Sequence, residues 1–341
     1  MNLVRKILFP FAVLYGIITS IRNFLFDKGI LKSYPFDVPV IAVGNLSVGG
    51  TGKTPKIEYL IRLLSSKYKV ATLSRGYKRQ SKGFLLADSS SNAKILGDEP
   101  FQYYSKFKNI QVAVDTDRKN GIEQLLAQTK KPEILLLDDA FQHRKVKAGF
   151  YILLTSYGDL YSNDLMLPTG NLRERRCGAK RANVVIVTKC PENLSREEQN
   201  RIKTKLQLDS NQELYFSFID YDDCIYSEDK SMKVSEIKNV DKLLLGGIAK
   251  PQPFFAYLQS EIDEKLVYPD HHHFSESDIK NIINKAQNKI IITTEKDYVR
   301  LKGTLPEEQL FYLPIKSKFL SAAANFDQNI LNYVGASTRN R

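Results

Sequence analysis

The sequence predicts an α/β fold, a mostly parallel sheet with helices on both faces, followed by a second, smaller α/β unit. Two observations carry this. Short apolar runs recur at 69–73, 110–114, 134–137, 151–154 and 184–187, separated by segments that include helix-like stretches such as 118–128. Alternation of that kind belongs to parallel strands joined by crossover helices. The second observation is the run Pro39-Val-Ile-Ala-Val-Gly-Asn-Leu-Ser-Val-Gly-Gly-Thr-Gly-Lys-Thr-Pro55, in which an apolar strand, a glycine-rich turn and a helix start follow in succession. This is the layout of a phosphate-binding loop, and it makes the larger unit P-loop NTPase-like.

In chain order, the first element is an apolar stretch, 7–20, with Arg5 and Lys6 before it and Arg22 after it. It is short of the roughly 20 apolar residues that a spanning helix needs, and no small-x-small cleavage site closes it. A helix lying in the membrane interface is expected, with Arg5, Lys6, Arg22, Lys28 and Lys32 available to anionic headgroups. A helix packed on the protein's own core is the competing reading.

The loop itself spans Ser47, Val48, Gly49, Gly50, Thr51, Gly52, Lys53 and Thr54. Glycines permit the backbone dihedrals that turn successive NH groups around an anion. Lys53 is placed to reach the β- and γ-phosphates of a nucleotide and Thr54 to ligate Mg²⁺. Ser47 stands where the generic pattern has its first glycine. A helix follows over 54–67, with Ile57, Leu60, Ile61 and Leu64 on one face and Pro55 in its first turn.

Ligands of open parallel sheets sit beyond the carboxyl ends of the strands. The residues that follow the predicted strands are the glycine loop, Ser74-Arg75-Gly76-Tyr77, Asp115-Thr116-Asp117-Arg118, Asp138-Asp139 and Thr188-Lys189. Polar and charged groups therefore gather at one edge. The apolar strand that ends in Asp138-Asp139 has the arrangement that puts a carboxylate beside the metal of a phosphate-loop enzyme. His143 and Arg144 follow closely.

After a polar stretch, 220–233, a strand, tight turn and helix are expected from Leu243 onward, then a helix over 275–287 with Ser275 and Asp278 at capping-box spacing, then a strand at 289–293. Two extended segments, 214–221 and 309–315, bracket this unit and are expected to pair as a two-stranded connection. The expected divisions are a membrane-docking helix, 1–25, a P-loop unit, 26–215, a smaller α/β unit, 216–315, and a C-terminal segment, 316–341, frayed from Ala336.

Net charge of +12 implies an anionic partner: nucleic acid, an acidic membrane surface or a phosphorylated substrate. No nucleic-acid-binding motif accompanies the charge. The three cysteines, Cys177, Cys190 and Cys224, have no C-x-x-C spacing, so neither a disulfide framework nor a zinc site is suggested. Three further clusters admit two readings each. Asp98 and Glu99 before Pro100 suit a helix start and equally a proton acceptor. Asp270-His271-His272-His273 suits a solvated surface, or one histidine tuned by its acidic neighbour. Arg173, Arg175 and Arg176 in the loop 167–176 suit an anion site or a basic surface.

Taken together, these segments resemble the tetraacyldisaccharide 4′-kinase family of lipid A biosynthesis. The resemblance is carried by 43–55, 74–77, 97–100, 138–143, 167–174, Asp270-His271-His272 with Phe274, and Thr293-Thr-Glu-Lys-Asp297, in order along nearly the whole chain. Ser47 agrees with the family's own loop, whereas Ala140 replaces an expected glycine. The resemblance implies transfer of the γ-phosphate of ATP, with Mg²⁺, to the 4′-hydroxyl of a tetraacylated disaccharide 1-phosphate, giving lipid IVA. It implies Asp98 as general base, His271 as its partner, Lys53 and Thr54 as phosphate and Mg²⁺ ligands, Asp138 as a further metal ligand, and Asp138 and Asp139 as organisers of metal and nucleophile. Arg75, Arg118, Arg173 and Glu174 are implied to orient phosphates, metal or sugar. The implied partners are the lipid substrate and an anionic membrane at the cytoplasmic face of the inner membrane, with no nucleic acid and no protein partner. A partitioning-type ATPase switch is the alternative, but that class carries a second lysine just before its glycine pair, where Val48 stands here.

Overall fold

Fifteen strands form two sheets in the structure, a computed structural model that describes Arg5 and residues 7–339. The larger sheet contains β1 (Val40–Asn45), β2 (Val70–Ser74), β3 (Leu85–Leu86), β4 (Gln111–Val114), β5 (Ile134–Asp138), β6 (Phe150–Ser156), β7 (Val184–Thr188), β8 (Glu213–Tyr221) and β15 (Ile315–Phe319). The smaller contains β9 (Cys224–Tyr226), β10 (Ser231–Lys233), β11 (Lys242–Gly246), β12 (Glu264–Val267), β13 (Ile290–Thr294) and β14 (Leu310–Leu313). The larger runs β15-β8-β7-β6-β1-β5-β2-β4-β3, parallel except at its two edge strands. The smaller runs β10-β9-β14-β13-β11-β12, and its strands from β14 to β12 are parallel.

β1 shows why the large sheet must be covered twice. Its six residues are all buried. Ile41 and Val43 point into one core with Ile57, Leu60 and Ile61 of the helix Lys53–Leu64; Val40 and Ala42 point into another with Ile122 and Leu125 of the helix Arg118–Leu126. Residues of a strand alternate between faces, so a strand that is apolar throughout requires helices on both sides.

The structure corrects three expectations. The segment that pairs with β8 is β15, Ile315 opposite Tyr221, whereas 310–313 belongs to the small sheet. Pro314 separates the two strands and has no NH for either ladder. The polar stretch 220–233 holds the β9–β10 hairpin. The C-terminal segment is a helix, Ala323–Arg339, and Asn340 and Arg341 lie outside the described residues. That helix buries Phe326, Ile330 and Val334, each at 0 % exposure and four residues apart. Its Tyr333 hydroxyl accepts from Val40 N (3.1 Å) and donates to Val40 O (3.2 Å).

The N-terminal helix, Phe9–Asp27, is different in kind. Phe9, Phe11, Leu14, Ile17, Ile18, Ile21 and Phe24 are exposed, and only Ala12, Gly16 and Thr19 are buried. By length and composition alone it could cross a membrane. Lys28 and Lys32 are exposed, but Arg22 is turned inward onto Gln142 O (3.1 Å) and Arg5 donates to Asn171 Oδ1 (3.3 Å). Those two cations are thus partly engaged by protein. Lys6 lies outside the described residues.

Candidate active site

β1 delivers its chain directly into the glycine loop. Gly49 has φ of 110° and Gly52 has φ of 81°, conformations that a side chain would strain; Gly50 lies outside the left-handed region. The loop is anchored from several sides. Ser47 bridges Leu172 and Val48 N donates to Asn171 O (2.8 Å). Thr51 Oγ1 accepts from Asn45 Nδ2 (2.8 Å), and Thr188 Oγ1 at the end of β7 donates to Thr51 O (2.8 Å). Lys189 donates to Gly50 O, and burial together with Lys250 lowers its pKa. Lys53 and Thr54 open the helix that follows, so both act where NH groups and the helix dipole favour an anion.

β5 ends one strand away. Asp138 is buried, and its Oδ2 accepts from Ser74 Oγ (3.3 Å) and Tyr103 Oη (3.4 Å). Its Oδ1 is buried without a hydrogen-bond partner. Burial first, then the charge of Asp139, pushes its carboxyl up to about 6. Asp139 has the left-handed backbone, φ 47°, which costs a non-glycine residue on the order of 1 kcal/mol or more. Burial opposes its ionisation, but Lys53 (3.8 Å) and Arg173 (2.8 Å) prevail and hold its carboxyl at about 2. Arg173 also donates to Asn45, closing a ring around the end of β1.

The other predicted residues divide. Arg118 is buried, donating to Asp115 O and to Asp138 O (3.2 Å), so its guanidinium ties two strand ends together. It still lines a cleft of about 290 Å³ with Thr116, Asp117, His143 and Lys145. Burial, Arg118 and Arg75 lower His143 to about 4, which leaves its imidazole neutral at pH 7. Arg75 is exposed. Glu174 is buried and held by Asn23 of the N-terminal helix, Gln142 and Arg181, each at 2.8 Å. It connects that helix to the site without being free itself.

Asp98 begins the helix Asp98–Lys106 and meets the helix Glu295–Leu301 of the small sheet directly. Its Oδ2 accepts from Arg300 Nε (3.0 Å) and lies 3.4 Å from His271 Nδ1. Burial raises its pKa, but His271 and Arg300 outweigh it and hold the carboxyl at about 2. His271 also has a left-handed backbone, φ 56°, and its ring packs edge-on to Tyr77 at 5.5 Å. His272 goes elsewhere and contacts Asp278 (3.0 Å), whereas Asp270 stays beside His271. Sequence reasoning did not single out Arg300, Tyr103 or Lys106. Arg300 lies four residues after Lys296 of the motif 293–297, a helical spacing that was available as a signal; the other two sit in an aromatic-rich helix with no distinguishing pattern.

Mg²⁺ prefers one or two carboxylates plus phosphate oxygens and water to an all-protein cage. The donors fit: Asp138 has an unsatisfied buried oxygen, Thr54 lies next to Lys53 in the same turn, and Tyr103 bonds both Thr54 and Asp138. Among the described residues there is no cluster of three or more His, Cys, Asp or Glu suited to a metal. A glycine loop entering a helix from a central parallel strand, with an acidic strand end beside it, defines a P-loop phosphotransferase.

The comparisons with known proteins agree. A profile of the Tetraacyldisaccharide-1-P 4′-kinase family matches residues 4–335. The tetraacyldisaccharide 4′-kinase of Flavobacterium johnsoniae is 68 % identical over 98 % of each chain, and that of Bacteroides thetaiotaomicron is 46 % identical over 99 % of this chain and 95 % of its own. The crystal structure of LpxK from Aquifex aeolicus in complex with ATP superposes with a TM-score of 0.79 at 31 % identity, covering 97 % of this chain and all of that one. The chain belongs to the tetraacyldisaccharide 4′-kinase family.

Proposed function

We propose that this chain transfers the γ-phosphate of ATP to the 4′-hydroxyl of a tetraacyldisaccharide 1-phosphate, a step of lipid A biosynthesis. The observation that carries the reading is the glycine loop running into Lys53 and Thr54 beside the buried, unpartnered Oδ1 of Asp138. Family membership favours this over an ATPase switch.

The chemistry follows from charge and placement. The 4′-oxygen attacks the γ-phosphorus, the bond to the β–γ bridging oxygen breaks, ADP departs, and the hydroxyl proton passes to Asp98. Lys53 neutralises charge on the transferring group, and loop NH groups hold the phosphates. Thr54 and Asp138 would hold Mg²⁺, which would supply charge neutralisation at the phosphates. Asp139, kept ionised by Lys53 and Arg173, fixes the lysine's direction. Asp98 at about 2 is a weak base. A loose transition state develops little positive charge on the attacking oxygen until late, so orientation counts for more than basicity.

The exposed apolar face of the N-terminal helix, with Lys28 and Lys32 at its end, supports docking at the cytoplasmic face of the inner membrane. Purified protein with Mg²⁺, labelled ATP and the disaccharide 1-phosphate should yield a 4′-phosphate; product lacking it refutes the proposal. Removal of the N-terminal helix should weaken co-sedimentation with anionic vesicles at low and high salt, and equal sedimentation refutes the docking.

A further inference from the structure

The motif 293–297 has no assigned chemistry so far. Thr294 caps the helix Glu295–Leu301, accepting from Asp297 N (3.2 Å), and the fully buried Asp297 accepts from Gly247 N (2.8 Å) at the end of β11. Arg300 Nη1 pairs with Asp297 Oδ1 (3.2 Å). The helix is thereby fastened to the small sheet. Lys296 and Arg300 stand four residues apart on it, one helical turn, and therefore share a face.

Both reach the Asp98–His271 pair. Arg300 Nε and Nη2 donate to Asp98 Oδ2 at 3.0 and 2.5 Å. Lys296 Nζ lies 2.8 Å from His271 Nε2, and Glu99 (3.3 Å) and Asp270 (3.6 Å) are its carboxylate partners. An ammonium has three donors and no acceptor, so Nε2 must accept and the ring proton resides on Nδ1. That proton points at Asp98 Oδ2. Arg300 Nη2 is 3.2 Å from Nδ1, but two donors form no hydrogen bond. Among the described residues, the donors that reach the Asp98 carboxylate meet Oδ2.

We propose that Lys296 and Arg300 are positioning residues for the proton acceptor. Arg300 locks Asp98 through Oδ2 and reserves Oδ1 for the substrate hydroxyl; Lys296 sets the Nδ1–H tautomer of His271, so that the imidazole donates to Asp98 instead of competing with it. Neither residue touches the reacting atoms. The inference rests on Asp98 being the proton acceptor, as proposed above. Among the described residues, the charged and titratable groups that act on Asp98 are His271, Arg300 and Lys296; behind them stand Asp297 against Arg300, Glu99 and Asp270 against Lys296, and Tyr77 against the imidazole.

Kinase activity on ATP and the disaccharide 1-phosphate would be measured for Arg300→Gln, Arg300→Lys, Asp98→Asn and the double variant Asp98→Asn/Arg300→Gln. Arg300→Gln should lose roughly 10- to 100-fold in kcat, within the range of a disturbed acid–base group, while KM for ATP stays within about twofold. Its acidic pH limb should move upward, because an unpaired aspartate titrates near 4. Arg300→Lys should recover part of the loss. In the Asp98→Asn background Arg300→Gln should cost nothing further. A silent Arg300→Gln beside a crippled Asp98→Asn overturns the positioning role alone, as does a multiplicative double variant. Near-normal Asp98→Asn overturns the proton-acceptor reading itself. Nitrogen NMR of the folded wild type is independent of how any variant folds. It should show His271 protonated on Nδ1, with Lys296→Met shifting the proton toward Nε2; an Nε2–H wild type overturns the tautomer assignment.

Discussion

The two sheets meet at one seam by the same rule but with different means. Both present the carboxyl ends of parallel strands: Gly49–Thr54 after β1 and Asp138–Asp139 at the end of β5 from the large sheet, His271 after β12 and Lys296 and Arg300 after β13 from the small one. The large sheet works with the backbone NH groups of its loop, with carboxylates set directly at a strand end, and with Lys53 and Arg173 tied back onto Asp139. The small sheet reaches across with long charged side chains. Short reach gives rigidity, suited to a nucleotide; long reach keeps the seam polar, since three ion pairs, Asp98–Arg300, Glu99–Lys296 and Lys106–Glu295, join the helices Asp98–Lys106 and Glu295–Leu301. Polar seams of this kind accommodate relative motion more readily than apolar ones.

The comparison breaks hardest at Lys53. Lys53→Ala removes the side chain proposed to neutralise the transferring phosphate, and kcat should fall by about 10³ or more with circular dichroism unchanged. Turnover near wild type in a folded variant would remove the large sheet from the chemistry. Next come the groups on either side of the seam. Asp98→Ala and His271→Ala should each cost about 10²-fold in kcat, and together less than the product, if they act as a unit. Independent losses in steady-state kinetics would separate them.

Smaller effects sharpen the contrast through two lysines. Lys106 at the seam lies 2.8 Å from Glu58 of the loop helix and 2.5 Å from Glu295. Burial and the charge of Glu58 push Glu295 up to about 7, with Lys106 opposing. A raised carboxyl means that the folded state binds the proton more tightly, so this group's contribution to stability falls as pH rises from about 4.3 to 7. Lys106→Met should destabilise by about 2 kcal/mol and extend that fall to higher pH, read as Tm against pH. An unchanged profile would show that the seam does not couple the two carboxylates.

Lys56 belongs to the core of the large sheet. It is fully buried, 3.8 Å from the Phe319 ring and 4.9 Å from that of Tyr59, and burial lowers it to about 7 against the pull of Asp327. The unfolded chain then binds the extra proton between about pH 7 and 10.4, so stability rises over that interval. Lys56→Met should flatten the rise at a cost or gain on the order of 1 kcal/mol. Chemical denaturation at pH 7 and 9 checks it; an undiminished rise would place its origin elsewhere.

Legibility followed the range of the interactions. The glycine loop, the acidic end of β5 and the alternation of strand and helix could be read because each is written in a few consecutive residues with one physical period. Asp98 and His271 could be named through the resemblance, but the residues alone left both with surface readings, since 173 positions separate them. Arg300 was missed because its helical spacing from Lys296, the one signal available, does not tell whether the arginine faces solvent or a carboxylate.

Sequence by itself determined which groups are candidates for phosphoryl transfer, because strand–loop–helix geometry and the donor chemistry of each side chain follow from local residue type. Tertiary structure decided how they are held. It joined β15 to β8 past Pro314, and it left the N-terminal helix with its apolar face outward while the C-terminal helix buried its own. It also placed a helix of the small sheet where Lys296 and Arg300 meet Asp98 and His271. These outcomes depend on burial and on pairing between distant segments, whose free energies are set by neighbours that no local window of sequence contains.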